Sequence, residues 1–114
     1  MATISTHVLD TSLGRPAQGV AIELDRLDGD AAERFGGGVT NADGRVTDLL
    51  SDAAAGLTVG RYRMRFVLSE YWAQGGRSGF YPEAAVVFDV ADASEHYHVP
   101  LLLSPYGYST YRGS

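Results

Sequence analysis

Three histidines and one arginine carry the chemistry that this chain could perform. His96 and His98 stand two apart in His96-Tyr97-His98-Val99-Pro100-Leu101-Leu102-Leu103, and His7 lies in Ile4-Ser5-Thr6-His7-Val8-Leu9-Asp10. If each run is a strand, successive side chains alternate between its two faces. Tyr97, Val99, Leu101 and Leu103 then form an apolar face, while His96 and His98 point the other way with Pro100 and Leu102. In the first run Ile4 and Val8 oppose Thr3, Ser5 and His7. Arg45 follows the tight turn Asn41-Ala42-Asp43-Gly44, at a strand start. Near neutral pH an imidazole can take a proton, and a guanidinium can hold developing negative charge. A sheet face carrying both could activate water and stabilise an oxyanion. Parity taken alone favours the plainer reading, in which these are solvated groups on a sheet surface.

Histidines at i and i+2 can also chelate a metal. The chain supplies no cysteine and no carboxylate set with matching spacing, and Glu95 faces away from His96, so no metal is assigned. Other chemistries lack their motifs. There is no G-x-S-x-G elbow for a serine nucleophile, and Gly36-Gly37-Gly38 lacks the Lys-Ser/Thr of a phosphate loop. Tyr71-Trp72 reads as packing against a sheet edge, because no basic groove accompanies it.

The elements that must position these residues are strands. In Arg61 to Leu68, Tyr62, Met64, Phe66 and Leu68 share one face, and Arg61, Arg63 and Arg65 share the other. Val20, Ile22 and Leu24 alternate with Ala21, Glu23 and Asp25, and Val86, Phe88 and Val90 repeat the pattern with Asp89 outward. Turn residues punctuate the runs at Gly14-Arg15-Pro16, Asp28-Gly29-Asp30, Asn41 to Gly44 and Gly75-Gly76. Strands are expected near 3–10, 19–27, 34–40, 45–49, 59–68, 84–91, 95–104 and 106–112. One short helix is expected after Ser69, which can cap it, with Glu70 in its first turn and Gly75 ending it. The glycine run 36–38 marks a bend, a bulge or a close backbone approach. Eight short strands imply an all-β antiparallel sandwich or barrel, a single domain over residues 1–114.

The net charge of −5 disfavours nucleic acid and anionic membrane as partners. All nine basic side chains besides histidine are arginine. No apolar run reaches the roughly 20 residues of a membrane span. The opening MATISTHVLD lacks the charged and apolar regions of a signal peptide. With no cysteine as well, the expected location is cytoplasmic.

SerThrHisValLeuAsp followed by GlyArgProAla, and HYHVPLLLSPYGYSTYRGS over residues 96–114, resemble the transthyretin-like family. The ending Tyr111-Arg112-Gly113-Ser114 resembles the C-terminal signature of its 5-hydroxyisourate hydrolases, which hormone-carrying transthyretins lack. The resemblance spans the chain and includes the GLTVGRYRMRF strand and the YWAQ helix. It implies a transthyretin-like antiparallel β-sandwich of two four-stranded sheets with one short helix. It further implies a homotetramer, paired through edge strands, whose active sites lie in a central channel. The implied activity is hydrolysis of 5-hydroxyisourate to 2-oxo-4-hydroxy-4-carboxy-5-ureidoimidazoline in urate catabolism, without a cofactor. The implied catalytic residues are His7, Arg45, His98 and Ser114, with Tyr111, Arg112 and Gly113 binding substrate. His98 is preferred to His96 because it stands two residues before Pro100. Two other readings stay open: a carrier that holds an aromatic ligand without turnover, and a metal-dependent hydrolase using His7, His96 and His98.

Overall fold

The computed structural model describes residues 2–51 and 56–113. Eight strands and one helix follow in the order β1 (Thr3–Asp10), β2 (Arg15–Pro16), β3 (Ala21–Asp28), β4 (Ala31–Val39), β5 (Gly60–Val67), α1 (Ser69–Gln74), β6 (Glu83–Val90), β7 (His96–Ser104) and β8 (Gly107–Thr110). They form two four-stranded sheets, β2-β1-β7-β8 and β4-β3-β5-β6.

The period-two runs explain the sandwich. Tyr62, Met64 and Phe66 of β5 are wholly buried, as are Leu24 of β3, Val8 of β1 and Leu101 and Leu103 of β7. Each such side chain removed from water contributes about 1.5–3 kcal/mol. The reverse face of β5 carries the arginines, paired across strands with carboxylates: Arg61 with Asp89 at 2.8 Å, Arg63 with Asp25 at 3.0 Å and Arg65 with Glu83 at 2.9 Å. One side of this sheet is therefore core and the other a ladder of charge.

Three local expectations are corrected. Residues 45–49 do not form a strand in a ladder. That segment instead leads into an isolated antiparallel bridge with β4, Gly36 opposite Leu50: the amide of Gly37 donates to Leu49 O at 2.8 Å, and that of Ser51 to Phe35 O at 3.0 Å. A Cβ at Gly36 would collide with the Leu49 carbonyl, so the glycine run serves a close backbone approach, and Leu49 drops into the core. Arg15–Pro16, expected as loop, pairs with Leu9 and Asp10. It is an edge strand, where proline's missing N–H costs nothing. Ser69 does not cap α1. Leu68 holds the N-cap position without a side-chain bond, and the amides of Leu68 and Ser69 both donate to Pro82 O. The helix is held by burial of Tyr71 and Trp72.

One pairing departs from the antiparallel pattern. β1 and β7 run parallel, in the register Thr3↔His96, Ser5↔His98 and His7↔Pro100. This pair sits at the centre of its sheet and joins segments from opposite parts of the sequence.

Candidate functional site

In a parallel ladder, residues paired in register share a face. Thr3, Ser5 and His7 therefore stand beside His96, His98 and Pro100, on the face opposite the core residues Val8, Tyr97, Val99 and Leu101. The expected parity holds. His96 is exposed, whereas His7 and His98 are half-buried.

Arg45 reaches this face through its turn. The side-chain oxygen of Asn41 accepts from the amides of Asp43 at 2.9 Å and Arg45 at 3.1 Å. Gly44 has φ +75°, a left-handed conformation that suits glycine. Its carbonyl accepts from the amide of Val8 at 2.8 Å, and a Cβ there would stand 3.3 Å from Cδ2 of His7. The turn thus nests on β1 at His7–Val8 and presents Arg45 beside the histidines.

Burial of the His98 ring, joined by the positive charge of Arg45 and the neighbouring imidazoles of His7 and His96, holds its pKa below the ordinary histidine value. It is therefore neutral, and a competent base, across a wider acidic range than a free imidazole. Its Nδ1 lies 2.7 Å from Ser5 Oγ, which also lies 2.9 Å from His96 Nε2. Thr3 Oγ1 lies 2.5 Å from His96 Nδ1. Among the described residues no group of three or more His, Cys, Asp or Glu side chains is arranged to hold a metal ion.

The segment after β8 closes on the same histidine. The amide of Gly113 donates to His98 O at 2.9 Å, forming an antiparallel bridge. A Cβ on Gly113 would press into the His98 ring. Tyr111 is largely exposed, and with Arg112, His98, Tyr97, Val86 and Phe88 it lines a cavity of about 250 Å³. The Arg112 guanidinium is turned toward Glu95 at 2.8 Å and stacks over the Tyr97 ring at 4.5 Å. It lies on the Tyr97 side of the strand rather than beside His7 and Arg45. Ser114 lies outside the described residues. Two wider clefts, of about 620 and 670 Å³, contain none of the candidate residues.

Two residues of this cluster carry no motif in the sequence: Ser5 and Thr3. Their shared parity with His7 was visible, but their pairing with β7 was not. Asp10 was also missed. It is fully buried and accepts hydrogen bonds from Tyr71 at 2.7 Å, Arg77 at 2.8 Å and the Ser12 hydroxyl at 2.5 Å. Burial alone would raise its pKa, but these donors and the charge of Arg77 outweigh it and lower it to about 2.

The family model described as HIUase/Transthyretin family matches residues 4–113. The chain belongs to the HIUase/Transthyretin family. Among members of this family, the 5-hydroxyisourate hydrolase 2 of Rhizobium meliloti (strain 1021) is 50% identical over 115 residues, covering 97% of this chain and 95% of the relative. The solved 5-hydroxyisourate hydrolase of Klebsiella pneumoniae is 41% identical, with a TM-score of 0.86 and 100% of each chain covered. Sea bream transthyretin, solved in complex with thyroxine, is 32% identical with a TM-score of 0.87, covering 96% of this chain and 93% of that one. The HIUase/Transthyretin family therefore contains neighbours of this chain named for hydrolysis and one solved with a hormone, on a single fold.

Proposed function

We propose that this chain is a 5-hydroxyisourate hydrolase, a single domain over residues 1–114 that produces 2-oxo-4-hydroxy-4-carboxy-5-ureidoimidazoline. The observation that carries this reading is the convergence of His98, held neutral, with His7, Arg45 and Gly113 on one sheet face. A carrier needs no neutral base beside a cation.

In this mechanism His98 removes a proton from water, and the resulting hydroxide adds to the ring carbonyl of the scissile amide-type C–N bond. The carbonyl oxygen becomes an oxyanion, which Arg45 stabilises. The tetrahedral intermediate collapses, the C–N bond breaks, and the proton held by His98 passes to the departing nitrogen. His7 orients the water or relays the proton. Tyr111, Gly113 and Ser114 contact the heterocycle, and Arg112 supports them by anchoring this segment to Glu95 and Tyr97. The protein acts in the cytoplasm as a homotetramer with its sites in a central channel. The exposed edge strands β6 and β8 support that assembly, since unpaired edges invite pairing with another copy.

The test is an ultraviolet time course on freshly generated 5-hydroxyisourate, with wild type, His98→Ala and no protein. Fast decay with wild type alone is expected. Uncatalysed decay with folded wild type refutes the hydrolase and favours a carrier like the thyroxine-bound neighbour.

A further inference from the structure

The Ser5 hydroxyl carries one proton and lies within hydrogen-bond distance of two imidazoles, His98 Nδ1 at 2.7 Å and His96 Nε2 at 2.9 Å. It can donate to only one of them and must accept from the other. Thr3 Oγ1, at 2.5 Å from His96 Nδ1, extends the chain. The four groups then form a continuous line, His98–Ser5–His96–Thr3, which begins at a half-buried ring and ends at two exposed side chains.

The line has two consistent directions. In one, His98 Nδ1–H donates to Ser5, Ser5 donates to His96 Nε2, and His96 Nδ1–H donates to Thr3. His98 Nε2 is then bare and able to accept a proton. In the other direction every bond is reversed and His98 Nε2 carries hydrogen. His98 Nε2 makes no hydrogen bond among the described residues, so it is the nitrogen left for chemistry. A proton arriving at Nε2 would otherwise create an imidazolium beside Arg45, whose positive charge opposes it.

We propose that Ser5 is a positioning residue that locks the His98 tautomer, and that Ser5, His96 and Thr3 form a proton wire from His98 to solvent. When Nε2 takes a proton, the Nδ1 proton moves to Ser5. The Ser5 proton moves to His96 Nε2, the His96 Nδ1 proton moves to Thr3, and the Thr3 hydroxyl proton leaves to solvent. One proton enters, one leaves, and the bonds reverse. The wire runs inward when Nε2–H protonates the departing nitrogen. This gives His96 a part in turnover through Ser5 rather than by contact with His98.

The kinetic half of the proposal rests on the hydrolase reading; the structural half does not. Long-range proton–nitrogen spectra of protein labelled with nitrogen-15 at histidine read each ring's tautomer. Both directions of the wire give His96 and His98 the same tautomer, so equal populations are expected, and opposite tautomers in the two rings overturn it. Ser5→Ala should abolish that agreement and lower kcat at least about tenfold with KM unchanged, while Ser5→Thr restores both. Wild-type kcat in folded Ser5→Ala overturns the positioning role. His96→Ala keeps the Ser5–His98 bond but cuts the wire. Its turnover should fall in dilute buffer and recover with added imidazole, and turnover independent of buffer overturns the outward transfer. If wild type itself does not hydrolyse 5-hydroxyisourate, the hydrolase reading falls while the spectrum still decides the wire.

Discussion

Replacing Gly113 by alanine should displace the His98 ring with little effect on stability. A Cβ at this position would stand 3.1 Å from His98 Cγ, 3.4 Å from its Cβ and closer still to Cδ2. Comfortable carbon–carbon separation is about 3.5–4.0 Å, so the ring, or the segment bearing Gly113, must retreat by on the order of 1 Å. Gly113 does not have a left-handed φ, so the substitution adds no backbone strain. A misplacement of about 1 Å in a catalytic group costs on the order of 100-fold in rate. Tyr111 and Arg112 beside it are exposed, so this segment can give way and the stability change should stay within about 1 kcal/mol. The matched control is Gly107→Ala at the start of β8, where a Cβ would meet only Ser104 Oγ at an ordinary 3.7 Å. Steady-state hydrolysis and thermal unfolding should be measured on both variants. A roughly 100-fold loss of kcat is expected in Gly113→Ala alone, with unfolding midpoints near wild type in each. Turnover within about twofold of wild type in folded Gly113→Ala would refute the claim that this contact sets the His98 ring.

Other expectations concern charge. Arg45→Ala should lower kcat by about two orders of magnitude or more, as for loss of an oxyanion donor; near-normal turnover would remove Arg45 from the mechanism. Because His98 is held below the ordinary histidine value, the acid limb of the kcat/KM profile should fall below about pH 6.5. The folded form resists protonating this ring more than the unfolded chain does. Stability should therefore decline as pH drops below about 6.5, a contribution that His98→Gln removes. Asp10 works in the same direction at lower pH. Its pKa is lowered from 3.8 to about 2, so its contribution, on the order of 2 kcal/mol, is present above about pH 4 and is lost as pH falls toward 2. Asp10→Asn should flatten the acid-unfolding curve over that window, and an unchanged curve would show that Asp10 is not responsible.

Much of the frame was legible because burial on one face imposes a period of two. Tyr62, Met64 and Phe66 against Arg61, Arg63 and Arg65 defined β5, and the opposition of His98 to Tyr97 and Val99 defined the site's face. What stayed hidden depends on long-range partners. Nothing near Ser5 signals that it meets a histidine 93 residues away, because parallel pairing is set by the whole sheet rather than by a turn. Residues 45–49 follow a tight turn and carry the β-branched Val46 and Thr47, as a strand would, but the chain makes only an isolated antiparallel bridge to β4 at the bare backbone of Gly36. Ser69 has the chemistry of a cap, yet Pro82 O satisfies its amide first. Asp10 sits where parity expects an apolar side chain. Its partners Tyr71 and Arg77 come from α1 and the turn after it, so no local pattern could reveal them.

The central parallel pair also has a consequence in time. β1 leaves the ribosome before its partner β7, which follows some 93 residues later. At about 5–20 residues per second, β1 waits roughly 5–20 s for that neighbour. During this interval Ser5 and His7 belong to no ladder with β7, and the amides that β7 will engage remain free to pair elsewhere. Contacts of such sequence separation form slowly. The histidine cluster therefore cannot assemble before β7 is made and paired, and the face that carries it reports completion of this sheet.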